Sequence, residues 1–130
     1  MKKQYFLKDK KARIYKTVYL DDHEGYMQKP HFIPRTPSDL WCYTSQLSQT
    51  LVFVAKTFST DETRMFVFNP GIVAETYDLI LYRSQWYQVT RVDTTDDYNG
   101  EVFVYVEDCP KGKTPSQEFI HDCGWIPPTS

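Results

Sequence analysis

The sequence predicts a mostly β domain, and three observations carry that expectation. Two strand-like runs, residues 77–82 (Tyr77-Asp78-Leu79-Ile80-Leu81-Tyr82) and 85–92, face each other across the two-residue turn Arg83-Ser84. A third run, Glu101-Val102-Phe103-Val104-Tyr105-Val106, follows a polar turn ending in Asn99-Gly100. β-Branched and aromatic runs separated by such turns are the strongest hairpin signal a single sequence carries. Aromatic content is high at 16%, with ten Tyr, eight Phe and three Trp, and large rings let short strands fill a thin interior.

A chain of 130 residues is enough for one domain and short for two. At this length roughly two-thirds of the unfolded surface is buried, so one core suffices without staples. The net charge of −2 argues against a basic DNA-binding domain. No stretch approaches the ~20 apolar residues of a membrane helix. The start, residues 1–8, is basic without an apolar core, which reads as no secretory signal and a cytoplasmic protein. The three cysteines are an odd number, so a complete disulfide framework is excluded. Cys42 reads as a buried small hydrophobe, and Cys109 and Cys123 as free thiols in a reducing cell.

The elements follow in order. Residues 1–11 form a lysine-rich arm, expected to dock loosely. Residues 12–19 alternate Ile14, Lys16 and Val18 against Arg13, Tyr15, Thr17 and Tyr19, which predicts a strand with its aliphatic side inward. Residues 20–38 read as a long loop: Asp21-Asp22-His23-Glu24-Gly25 is a turn cluster, and Pro30, Pro34 and Pro37 exclude a central strand. Loops of this length are often functional. A strand is expected over 39–45. Residues 46–60 fit either a helical turn or two or an irregular strand. Residues 63–68 form a further strand, ended by Asn69-Pro70-Gly71. The domain is thus expected to end near residue 108. Residues 109–130 read as a Pro-containing C-terminal tail in which Phe119, Ile120 and Trp125 are apolar enough to dock.

Catalytic signatures are missing from the sequence: the glycines are scattered singly, without a phosphate loop or a nucleophile elbow. An enzyme using His23 or His121 would need a convergent site that the sequence does not display. Cys109, His121 and Cys123 lack the paired spacing of a structural zinc site. Asp21-Asp22-His23-Glu24 and Asp93-Thr94-Thr95-Asp96-Asp97 lack the ligand order of a calcium loop and read as turn acids. No catalytic group, metal or cofactor is therefore expected. Trp41, Trp86 and Trp125 read as packing residues, with base or sugar stacking as the alternative. Charge, however, is uneven. Lys2, Lys3, Lys8, Lys10, Lys11, Arg13 and Lys16 crowd the first sixteen residues, and Asp93, Asp96, Asp97, Glu101, Glu107 and Asp108 crowd residues 93–108. Either these are two solvated surfaces, or the basic arm of one copy meets the acidic turn of another.

Three stretches carry a resemblance. They are Leu40-Trp41-Cys42-Tyr43-Thr44-Ser45-Gln46-Leu47-Ser48, Thr63-Arg64-Met65-Phe66-Val67-Phe68-Asn69, and the hairpin from Asp78 through Tyr82, Trp86, Tyr87, Val89 and Val92 to Asp93. In this order they resemble the head-tail joining, or head-closure, proteins of tailed bacteriophages, over about residues 12–107. The family's glycine after Leu-Ser is Gln49 here, and its arginine after the Phe-rich strand is replaced in the Phe68-Asn69 region. The resemblance implies a small antiparallel β-barrel with a long loop after the first strand. It implies a non-enzymatic virion component that joins the portal and adaptor ring to the tail, monomeric when free and a ring when assembled. Its place would be the host cytoplasm during assembly and then the head-tail interface, close to channel DNA and without a membrane. The implied contact elements are the arm (Lys2, Lys3, Lys8, Lys10, Lys11), the loop with Asp21, Asp22, His23 and Glu24, and the acidic turn with Asp93, Asp96 and Asp97. A second expectation from the same strands and rings is an OB-like barrel binding single-stranded nucleic acid.

Overall fold

A computed structural model describes residues 7–21, 28–46, 62–94, 100–110 and 112–126. The expected element over 46–60 lies, beyond Gln46, outside the described residues. Among the described residues seven strands make up the sheet: β1 (Lys10–Asp21), β2 (Gln28–Pro34), β3 (Leu40–Gln46), β4 (Arg64–Phe68), β5 (Leu79–Tyr82), β6 (Gln85–Thr94) and β7 (Val102–Asp108). Their order is β2-β1-β3-β4-β7-β6-β5, and β1 pairs back onto β5. The first half of β1 thereby closes a six-stranded antiparallel barrel, as the mostly β reading expects. The second half of β1, from Tyr15 to Asp21, pairs with β2 and extends from the barrel as a two-stranded ribbon.

The interior follows from side-chain alternation. Ala12, Ile14, Cys42, Phe66, Phe68, Ile80, Tyr82, Tyr87, Val89, Val102, Val104 and Val106 are buried together. Phe66 meets Tyr82 and Tyr87 edge-on at 5.6 and 5.9 Å between ring centroids. Arg64, the inward residue next along β4, lays its guanidinium over the same two rings at 5.3 and 5.8 Å and donates to Thr44 Oγ1 at 3.1 Å. Strict alternation along β6 would turn Arg91 inward. Instead a bulge at Thr90 shifts the register between Val89 and Arg91, so Val89 faces Val106 and Val92 faces Val104 while Arg91 lies outside over Tyr105 at 4.1 Å. The extra residue satisfies its own hydroxyl on Tyr105 O at 3.0 Å.

The turns obey the chemistry read from sequence. Arg83 and Ser84 both take positive φ, 49° and 64°, the geometry that matches a two-residue hairpin to strand twist. Gly71, at φ +90°, closes the turn that brings Ile72 N–H to Asn69 O at 3.3 Å.

Two expectations are corrected. Residues 20–38 were expected as one long loop, but β1 runs on to Asp21 and Gln28–Pro34 is a strand. The prolines exclude a central strand only; β2 is an edge, where a missing N–H is tolerated. The expected single inward side of β1 also fails after Ile14. Tyr15 is buried on the outer face, with Phe32 and Leu79, beneath Trp86, Phe119 and Ile120, while Lys16 is exposed. That outer layer exists because the C-terminal tail folds back: Ile120 bridges Phe32 in parallel, and His121 N–H donates to Phe32 O at 2.9 Å.

Candidate functional site

Where the ribbon leaves the barrel, a groove of about 810 Å3 opens. Lys16, Thr17, Tyr19, Pro30 and Phe32 of the ribbon form one side, the loop 75–78 the other. Leu79 and Gln88 contribute from β5 and β6, and Gly112, Lys113, Thr114, Ser116 and Phe119 of the tail complete it.

Its frame is an ion pair. Asp78 is buried just before β5. Arg35, just past β2, donates to it twice, from Nε to Oδ2 at 2.6 Å and from Nη2 to Oδ1 at 3.1 Å. Asp78 Oδ2 also accepts from Glu75 N–H at 2.9 Å, and Glu75 Oε2 stands 3.6 Å from Arg35 Nη2. The Arg35 amide itself donates to Ile14 O at 2.8 Å. Three chain segments are thus tied at one point, and removing either charge strands the other, at a cost of about 3 kcal/mol or more.

The loop that carries Asp78 is strained. Asp78 N–H reaches back to Glu75 O at 3.0 Å, Tyr77 N–H donates to Val89 O at 2.9 Å, and Tyr77 sits between them at φ 74°. A bulky residue at positive φ is an outlier that the surrounding bonds must enforce. Its ring is 72% exposed, and Tyr19 across the groove is 61% exposed. The groove is therefore an apolar floor of Phe32, Leu79 and Phe119 between two tyrosine lips, with Lys16 and Lys113 beside them.

A second cluster adjoins it. His31 on β2 meets His121 on the tail, Nδ1 to Nε2, at 2.8 Å. His121 stacks on Trp125 at 3.7 Å with planes 6° apart, and Phe119 meets His31 edge-on at 5.2 Å. Burial, then the charges of His121 and Lys29, hold the His31 imidazole below its ordinary pKa.

Of the residues expected from sequence to carry contacts, the described ones do not line the groove. Lys8 pairs with Glu101 of its own chain, so the arm and the acidic end meet intramolecularly. Lys10 reaches Asp9 at 3.2 Å. Lys11 lies 4.5 Å over the ring of Trp41, its cross-strand partner. Asp93 stands 3.8 Å from Arg91. Asp21 ends β1, its backbone paired with Gln28. Lys2, Lys3, Asp22, His23, Glu24, Asp96 and Asp97 lie outside the described residues. Among the described residues no group of three or more His, Cys, Asp or Glu side chains is arranged to hold a metal ion. No described helix is long and apolar enough to cross a membrane. Sequence reasoning missed Arg35, Asp78, Tyr19 and Tyr77 because their association is made by barrel closure; Arg35 and Asp78 are 43 positions apart.

Comparison of the sequence with protein-family models and with curated proteins finds no match in either.

Proposed function

We propose that this chain is a structural assembly subunit, a head-closure component that joins the DNA-filled head of a tailed bacteriophage to its tail as a ring of identical copies. The observation that supports this best is where the molecule keeps its accessible features. The barrel interior is packed with its own side chains, whereas the built concavity lies outside, at the root of a projecting ribbon. A cyclic ring requires each copy to present two different surfaces. The tyrosine-lipped groove suits one of them, because exposed tyrosines over an apolar floor are characteristic anchors of protein interfaces. The mechanism on this reading is steric and electrostatic: portal, adaptor and tail partners meet the appendages, and charge sets register. The chain works in the host cytoplasm during assembly and thereafter at the head-tail interface.

The test is incorporation. Electron microscopy of particles assembled with this chain is expected to show it as a ring between head and tail. Tyr19→Ala combined with Tyr77→Gly should leave circular dichroism and melting intact and reduce incorporation tenfold or more. A chain missing from particles, or a double variant incorporated at the wild-type level, overturns the proposal.

One observation favours a second reading, an OB-like barrel for single-stranded nucleic acid. Trp41 is 52% exposed with Lys11 over its ring, a stacking face beside a cation. Fluorescence anisotropy with a single-stranded oligonucleotide at low salt would then show binding that weakens with salt and with Trp41→Ala. No anisotropy change at low salt discards it.

A further inference from the structure

We propose that residues 117–126 form a proton-released latch on the edge of β2, held shut by the contact between His31 and His121. The segment lies on that edge through the Phe32–Ile120 bridge with its His121 N–H to Phe32 O bond, the packing of Phe119 and Ile120 on the outer cluster, the paired imidazoles, and the stack of Trp125 on both histidine rings. Of these, the imidazole pair alone depends on protons in the neutral range. A nitrogen–nitrogen contact at 2.8 Å needs one donor and one acceptor. One proton shared by the pair preserves it. A second proton leaves two N–H groups and two positive charges pointing at each other.

Among the described residues the surrounding charges give no compensation at His31. On β2 the same face carries Lys29, two positions back. On β1 the residue opposite is Val18, with Lys16 two positions along. On the tail the acids are Glu118, in the 3-10 turn, and Asp122, beside His121, both exposed. Burial, His121 and Lys29 all oppose a charge on His31. The linkage sign follows. A docked value below the free one means the released segment binds the proton more readily, so docking is fully stable above about pH 6.5 and weakens as pH falls below it.

Release has a consequence close to the contact on both of its sides. Phe32 beside His31 and Phe119 two residues before His121 both belong to the groove floor, so an opened latch takes away part of that floor and widens the groove. The latch itself does not depend on the docking role given to that groove above; only this consequence does.

Amide hydrogen exchange tests it. Between pH 7.5 and 5.0 the protection factor of the amide of residue 121, which bonds Phe32 O across the latch, corrected for intrinsic rate, is expected to fall tenfold or more, with Phe66 and Val104 unchanged. His121→Gln and His31→Gln should each remove the pH dependence. If His121→Gln loses protection at every pH, His31→Gln decides, because it leaves the His121–Trp125 stack in place. A wild-type fall of less than twofold, or an equal fall in His31→Gln, overturns the latch. Because no particle is assembled, failure here leaves the head-closure reading standing.

Discussion

Tyr77 shows how a single residue separates stability from use. Its φ of 74° is a conformation that costs an L-residue about 1–2 kcal/mol relative to glycine. Its ring, largely in solvent, returns little packing energy, while its N–H is committed to Val89 O. Glycine would keep that bond and remove the strain, though its greater chain entropy offsets about 0.5–1 kcal/mol. Tyr77→Gly is therefore expected to raise stability by about 0.5 kcal/mol, seen as a small upward shift in the urea midpoint with unchanged slope. A clear loss of stability would mean that the ring packs in the native protein and is no free lip. On the docking role proposed above, the strain at Tyr77 holds its ring out toward solvent, where a partner would meet it.

At the scale of elements, β6 makes the sharpest demand. Thr90 is the extra residue of its bulge, so deleting it leaves Val89 opposite Val106, Arg91 opposite Tyr105 and Val92 opposite Val104. Deleting Gln88 instead lets the bulge absorb the shift from Arg91 onward but puts Val89 opposite Glu107 and Thr90 opposite Val106, so a threonine takes the place of an interior valine. The expected outcome is that the Thr90 deletion folds, at a cost of about 1–3 kcal/mol for the lost bend and hydroxyl bond, while the Gln88 deletion, which loses the bulge and an interior valine as well, is clearly the more damaging. Equal damage from both, measured by circular dichroism and melting, would refute the register. The bulge also marks where sequence stops being legible. The β5–β6 hairpin could be read because its turn and alternation are local, and so could β3, β4 and β7. The bulge could not, since Arg91 and Val92 differ in which faces inward only once Val104 is opposite. β2 was hidden by Pro30 and Pro34, which rule out a central strand but not an edge. The groove was hidden more completely: Arg35 and Asp78 meet only because β1 closes on β5, and Phe119 reaches Phe32 only when the tail returns.

Over the whole molecule, closure makes Cys42 a reporter. Its side chain is fully buried among barrel residues drawn from the other strands of the closed sheet. Burial, then the charge of Asp9, pushes its thiol up to about 12. At pH 8 its thiolate fraction is then ~10⁻⁴, and the interior excludes reagent as well. Cys109 is partly buried, its thiol raised mainly by burial, and Cys123 is exposed. A thiol reagent under native conditions should therefore label Cys123 at once, Cys109 more slowly, and Cys42 only through global opening. Ile14 pairs with Ile80 and Cys42 with Phe68, so no single strand can lift away to expose Cys42 without opening the ladder on both sides. The Cys42 labelling rate should then rise with urea along the full equilibrium slope of unfolding. Labelling with a shallow slope would mean that the β1–β5 seam opens locally. The barrel would then be a sheet whose closure is optional, and the groove at its seam could not hold a fixed shape for a partner.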